Sequence, residues 1–393
     1  MNRYLYWGPF LSERDGGAVV NYYLLKRQNE IRPRDEYYGY PKVPEELDSS
    51  QLPWMNYILG HPYEAIPKIM SAMQVPVLNI FHVAHEHFEK ILDDIHEVGG
   101  KVVCHQTIHW ADDLITKSTR LGDIDRIVAP TEYAKRVFQG VCKLPAEKID
   151  IIPHAVDTER YKRRPTVLRK ELGIGDNQKV VLFSGRLSFW KGIQEIIPIV
   201  RPLVKEYNCV FIIRAGYFWG NKEGERLYKV FKHMSLNNPN LIFLPEWQRP
   251  EFMEELFSMT DILLSNSGHE GFNVPLVEAM SSGAVPITTS LVNHVEILGL
   301  PQCGLLIAPT VKVGTVNDGT EVKVAKSEAL YGAIKWLLEN REEMEAMSVR
   351  GRARAVANYD LTKICGRWLE LYDSLIPKDY SMDMEMKRRV MER

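Results

Sequence analysis

Short runs rich in Val, Ile, Leu and Phe recur along this chain, and the stretches between them carry helical patterns rather than tight turns. YLYWG (4–8), VLNIFHV (77–83), KVVCHQ (101–106), RIVAP (126–130) and IDIIPH (149–154) form a first series. A second reads KVVLFSG (179–185), CVFIIRAG (209–216), NLIFLP (240–245), DILLSNS (261–267), VPITTS (285–290) and GLLIAP (304–309). Near-continuous apolar runs of this length suit strands buried on both faces, and their alternation with helices suits a parallel sheet covered on either side. The charged stretch DTERYKRRPTVLRKELGIGDNQ (157–178) separates the two series. The chain therefore reads as two doubly wound α/β domains, hinged near residues 155–178. Its 393 residues exceed what one core usually supports.

Two segments resist this alternation. Residues 27–63, including RPRDEYYGYPKVPEEL, look too irregular for a core element. VKVGTVNDGTEVKVAK (311–326) alternates in the manner of a hairpin turning at Asn317-Asp318-Gly319. Helical patterns close the chain over 327–358 and 361–376.

A formal net charge of −2 argues against nucleic acid as a partner, and the basic stretches RRPTVLRK (163–170) and KRR (387–389) read as solvated linker and tail. The five cysteines are widely spaced with no CxxC pair, which suits free thiols in a reducing compartment. MNRYLYWGPF is no signal peptide, and no apolar run reaches the roughly 18 residues of a membrane span. A cytoplasmic protein is expected, with peripheral membrane contact left open and the oligomeric state unspecified.

The chemistry concentrates in a few places. In SGHEGFNVPLVEAMSSGAVPITTS (267–290), Gly271 and Pro275 prevent a continuous helix from Glu270, so Glu270 belongs to a loop. Pro275 suits the first turn of a helix that Gly283 stops, and Glu278 falls on that helix. The helix N-terminus near Asn273 and Val274 is then a site for phosphate. In a plainer reading Glu278 only complements the helix dipole and Glu270 is a solvated loop residue. LFSGRLSFWKG (182–192) places Arg186 and Lys191 beyond a strand's C-terminal end, where two cations clamp a diphosphate or simply decorate a turn. GPFLSERDGGAVVNYYLL (8–25) puts Gly16 and Gly17 between a strand and a helix, where backbone can approach a ligand closely.

Taken together, these motifs resemble the family 4 retaining glycosyltransferases of the GT-B fold. EGFNVPLVEAMSSGAVPI matches that family's paired-glutamate signature and LFSGRLSFWKG its donor-phosphate motif, while KIDIIPHAVDTERY (148–161) resembles the segment leading out of its first domain. The resemblance covers the second domain almost throughout, and the first in its glycine loop and last third. It implies two Rossmann-like domains facing a central cleft: an acceptor-side domain over 1–165, a nucleotide-sugar domain over 166–360, and a segment 361–393 returning to the first.

By the same resemblance Glu278 holds the ribose hydroxyls of a nucleotide-sugar and Glu270 contacts the donor sugar. Backbone amides of Phe272, Asn273 and Val274 meet sugar and diphosphate, which Arg186 and Lys191 neutralise, and Gly17, next to Gly16, lets backbone close over it. A histidine of the first domain faces the anomeric carbon, His109 being favoured over His105. No metal and no cofactor are implied, the nucleotide-sugar being a co-substrate. DID (123–125) reads as a turn leading into a strand, and His82, His85 and His87 as flanking a βα turn. Asn273 stands where the family commonly has glycine, and Trp190 where it has smaller or acidic residues.

The expected activity is retaining, metal-independent transfer of a hexose from a UDP- or GDP-sugar to a hydroxyl acceptor, whether glycan, lipid or small molecule. The rivals are an epimerase or phosphorylase of the same fold, and a non-catalytic sugar-nucleotide-binding protein.

Overall fold

The computed structural model describes residues 2–8, 16–41, 50, 52–59, 61–81, 85–108, 120–216, 222–315 and 319–376. The described residues form two compact units. One takes in the chain up to Ala155 together with the residues from Leu361 on, and the other is Val156–Asp360.

The first unit is built on β1 (Arg3–Gly8), β2 (Glu36–Pro41), β3 (Asn56–Tyr57), β4 (Val77–Phe81), β5 (Lys101–His105), β6 (Arg126–Ala129) and β7 (Ile149–Ile151). They lie in the order β3-β2-β1-β4-β5-β6-β7, with every adjacent pair parallel. Alternation along β1 feeds two cores: Leu5 and Trp7 pack on one face, Tyr4 and Tyr6 on the other. The second face also takes Trp368, Leu369 and Tyr372 of the helix Leu361–Leu375, which lies against the helix Gly16–Ile31.

The expectation that 27–63 holds no core element is wrong. β2 pairs with β1 along its whole length, and Tyr37 is almost fully buried. The run EYYGYP hides its strand character because tyrosine supplies the buried apolar surface. Its proline occupies the last paired position, where a missing N–H costs the ladder least.

The second unit contains β8 (Lys179–Arg186), β9 (Cys209–Gly216), β10 (Leu241–Leu244), β11 (Ile262–Ser265), β12 (Val285–Thr289) and β13 (Leu305–Ile307), ordered β10-β9-β8-β11-β12-β13 and parallel throughout. Val181 and Phe183 face one core, Val180 and Leu182 the other. Both faces are dry, as the unbroken apolar runs require. Val156, Tyr161, Leu168 and Ile174 pack into the second core, so residues 156–174 are part of this unit rather than a free connector. Val156 also bridges Asp360, in parallel, at the point where the chain leaves the unit.

β14 (Val311–Thr315) and β15 (Glu321–Val324) form an antiparallel hairpin, although Asn317 and Asp318 of its turn lie outside the described residues. Strand order in the second sheet reverses between β8 and β11. In open parallel sheets ligands bind at such a point, beyond the strands' C-terminal ends.

Candidate active site

Arg186 is the last residue of β8 and is exposed. The chain then closes a short 3-10 turn, Phe189–Lys191, capped by Ser188, whose Oγ accepts the Trp190 N–H at 3.2 Å. Gly192 follows at φ +64°, and a Cβ there would sit 2.3 Å from the Asn266 carbonyl oxygen. Only glycine fits. Gly192→Ala is therefore expected to lose at least about 1–2 kcal/mol from the left-handed backbone alone, with the clash in addition. Chemical denaturation checks this, and an unchanged midpoint would contradict it.

Beyond β11 the chain runs Asn266-Ser267-Gly268-His269-Glu270 across the reversal point. Asn266 is fully buried and works as a staple: its Nδ2 donates to the carbonyls of Gly192 (3.2 Å) and Ala325 (3.0 Å), and its Oδ1 accepts the Ala325 N–H at 2.8 Å. The hairpin reinforces this loop. A Cβ on Gly268 would meet the Lys323 carbonyl oxygen at 2.5 Å, and one on Gly314 would lie 3.3 Å from Trp190 Nε1. The Trp190 and His269 rings meet edge to face at 5.3 Å.

Residues 79 apart in sequence meet here. Lys191 Nζ donates to Glu270 Oε1, which also accepts from Ser267 Oγ at 2.7 Å. Burial pushes the Glu270 carboxyl up, but the Lys191 ammonium more than reverses this and holds it at about 2. Glu270 is thus a fixed anion and Lys191 its cation, at the point where the topology places a ligand.

The helix Val274–Ser282 starts four residues after Glu270. Its N-cap Asn273 adopts φ 82°, ψ 69° and gives the helix no side-chain cap. Pro275 has no N–H and the Leu276 N–H donates to the Asn273 carbonyl at 3.1 Å, so this end offers a ligand the positive end of the helix dipole and the Val274 amide. Phe272 is a core residue, edge to face with Tyr359 at 5.9 Å, and Val274 packs partly on the same core, so only their backbones are left for a ligand.

Glu278 lies in the second turn, 9% exposed. Burial pushes its carboxyl up to about 7, against the pull of the Tyr161 hydroxyl and the Arg214 guanidinium. Arg214, near the C-terminal end of β9, has its Nε buried with no hydrogen-bond partner in the protein. The two signature glutamates thus occupy opposite electrostatic states, one firmly ionised and one poised near neutrality. A helix-dipole role for Glu278 in the first turn does not fit its second-turn position or its burial.

The structure brings Lys191, Glu270 and the N-terminus of the helix Val274–Ser282 together in one unit. Gly16 and Gly17 open the helix Gly16–Ile31 in the other, after β1, at that sheet's own reversal point between β1 and β4. His109 and His82 lie outside the described residues. His105 is buried at the end of β5, its ring 4.9 Å from that of His154 and 5.1 Å from that of Trp368. Of the DID aspartates, Asp123 pairs with Arg120, and Asp125 accepts from the Val102 N–H (2.9 Å), Lys101 Nζ (3.0 Å) and His96 Nε2 (3.0 Å). Asp125 thus ties strand β5 to its neighbours. No group of three or more metal-ligating side chains occurs among the described residues.

Sequence reasoning missed Asn266, Ser267, Arg214, Tyr161 and the pair Asn293-His294. Polar residues in SNSGHE immediately after a strand were a signal for the first two. Nothing in VNH marked the last.

Residues 166–354 match the family model described as Glycosyl transferases group 1. The alpha-galactosylglucosyldiacylglycerol synthase of Streptococcus pneumoniae is 32% identical over 146 residues, which are 36% of this chain and 37% of that protein. Matches to the first curated relatives span 37% to 46% of their own length. Among solved structures, a glycosyltransferase from Rickettsia africae superposes with a TM-score of 0.77 at 14% identity, covering 96% of this chain and 99% of that one. Anabaena HepE in complex with UDP and glucose gives 0.72 at 17% identity, covering 95% and 100%. The fold is GT-B: two Rossmann-like units, each on a parallel sheet.

Proposed function

From the group 1 domain in residues 166–354, we propose that the chain is a retaining, metal-independent glycosyltransferase that moves a hexose from a UDP- or GDP-sugar to a hydroxyl acceptor. The observation that carries this reading is the Lys191–Glu270 pair at the reversal of the second sheet, beside an N-terminus that no side chain caps. A paired carboxylate and ammonium next to the positive end of a helix suit a sugar diphosphate, which needs hydroxyl acceptors at one end and cations at the other.

As the bond from the anomeric carbon to the β-phosphate oxygen breaks, negative charge grows on the departing diphosphate. Lys191, Arg186 and the helix terminus are stationed for that charge. The acceptor oxygen bonds to the anomeric carbon on the face the phosphate leaves, and its proton passes to the departing phosphate. The products are the glycoside and the nucleoside diphosphate. Glu270 holds sugar hydroxyls throughout and forms no covalent bond to carbon. Glu278 accepts from the ribose hydroxyls, with Arg214 beside it. The contributions assigned to Gly16, Gly17 and His109 rest on sequence alone.

UDP and glucose in the HepE complex support a UDP-sugar, and the lipid product named for the pneumococcal synthase supports a lipid among the acceptors to screen. No described helix is long and apolar enough to cross a membrane. The test is incubation with UDP- and GDP-sugars and an acceptor panel, with and without EDTA. Transfer is expected to survive chelation with the anomeric configuration retained. Activity abolished by EDTA and restored by Mn²⁺ or Mg²⁺ would sink the metal-free mechanism. Turnover of donor without an acceptor product would favour an epimerase.

A further inference from the structure

Asn293 and His294 lie in the first turn of the short helix Val292–Leu298, and both are buried. Asn293 Nδ2 donates to the Glu270 backbone carbonyl at 2.8 Å. The His294 ring is enclosed by Thr288, Thr289 and Asn273. Its Nδ1 lies 2.9 Å from the Thr289 carbonyl oxygen, which can only accept, so Nδ1 carries a proton. Its Nε2 lies 3.0 Å from Asn273 Nδ2, which can only donate, so Nε2 presents its lone pair. The ring is therefore neutral, in one tautomer. The other Asn273 N–H goes to Ser265 Oγ at 2.9 Å. Asn273 is thus tethered from two sides while its backbone sits at φ 82°, a region that side chains other than glycine's rarely occupy.

Resting on the reading of the site as one for a sugar diphosphate, we infer that His294 is a positioning residue. It holds Asn273 in the left-handed conformation that sets the start of the helix Val274–Ser282 and aims the Val274 amide, while Asn293 holds the Glu270 end of the same loop. The loop from Glu270 to Asn273 is clamped at both ends by adjacent residues of one helix. Burial holds the His294 imidazole at about 4, against the pull of Glu270, so the tether persists at neutral pH.

Glycine provides the discriminating test, because it adopts φ 82° with no tether. His294→Ala in the otherwise native protein is expected to lower kcat/KM by about 10- to 100-fold and to weaken UDP or GDP in calorimetric titration. The same change made in Asn273→Gly, and compared with Asn273→Gly, is expected to cost less than about threefold. Equal losses in both backgrounds would overturn the inference, since His294 would then act through packing alone. Against the case in which His294→Ala leaves too little folded protein, the tether is also read directly in the native chain by ¹⁵N histidine NMR. A neutral Nδ1–H ring from about pH 6 to 8 is expected, and an Nε2–H ring or a titrating one would overturn it. A native protein that binds neither UDP nor GDP, and turns over no nucleotide-sugar, would instead bring down the reading of the site itself.

Discussion

Lys191→Ala is expected to lower kcat by about 10²- to 10³-fold, the loss seen when a group aimed at developing charge is removed. Arg186→Ala should cut kcat in the same direction, with little effect on stability because Arg186 is exposed. Lys191 is different, because it also neutralises a buried anion. Removing it strands Glu270, and breaking such a pair costs about 3–5 kcal/mol when both partners are fully buried. The cost should be lower here, since the Lys191 side chain is 25% exposed. The two roles separate by pH. Glu270 is held at about 2 against an ordinary 4.5, so the pair's stabilisation is present above 4.5 and lost as pH falls towards 2. The stability gap between wild type and Lys191→Ala should therefore narrow across that window. They also separate by a second substitution. Lys191→Met with Glu270→Gln removes both charges and should recover much of the stability without recovering turnover. Turnover in that double variant no lower than in Glu270→Gln alone would show that Lys191 serves the fold and not the diphosphate.

Much of the fold is legible in the sequence because parallel strands buried on both faces leave unbroken apolar runs, as in KVVLFSG and CVFIIRAG. β2 was not legible by the same rule, since EYYGYP carries its apolar surface on tyrosines that a glycine interrupts and a proline follows. The two signature glutamates stand out because carboxylates are costly in an apolar setting. Their opposite ionisation states do not. Glu270 owes its charge to Lys191, which precedes it by 79 residues, and Glu278 owes its poised state to burial that only the packed helix supplies. His294 gave no sign at all, because its role consists of contacts with strand ends and a cap that the fold alone assembles.

That poised state leads to an expectation for Glu278→Gln, a gain in stability together with a loss of binding. The Glu278 carboxyl is raised to about 7 from an ordinary 4.5, so burial favours its protonated form. The stabilisation is fully present below 4.5 and disappears as pH rises through 7, because the unfolded chain ionises first. At pH 8 the native protein carries a buried carboxylate that the glutamine variant lacks. Glu278→Gln should then be more stable than wild type by on the order of 1–3 kcal/mol at pH 8, with the gain shrinking towards pH 5. Binding should go the other way. Ribose hydroxyls donate to a carboxylate, so a nucleoside diphosphate selects the ionised form and drives off the proton that burial retains. In wild type the affinity for UDP or GDP should rise between about pH 6 and 8, with proton release visible when calorimetry is repeated in buffers of different ionisation enthalpy. The ligand's own phosphate titrates identically against both proteins and cancels in the comparison, so the excess slope belongs to Glu278. Glu278→Gln should show no excess, a weaker nucleoside diphosphate and a raised donor KM, with kcat changed much less, because a ribose contact is alike in ground and transition states. Glu270→Gln should show the converse, near-native affinity for the nucleoside diphosphate with the loss falling on kcat. If both variants bind UDP and GDP as wild type does, with the same pH dependence, then the carboxylate poised at Glu278 grips no ribose and the nucleotide must be sought elsewhere.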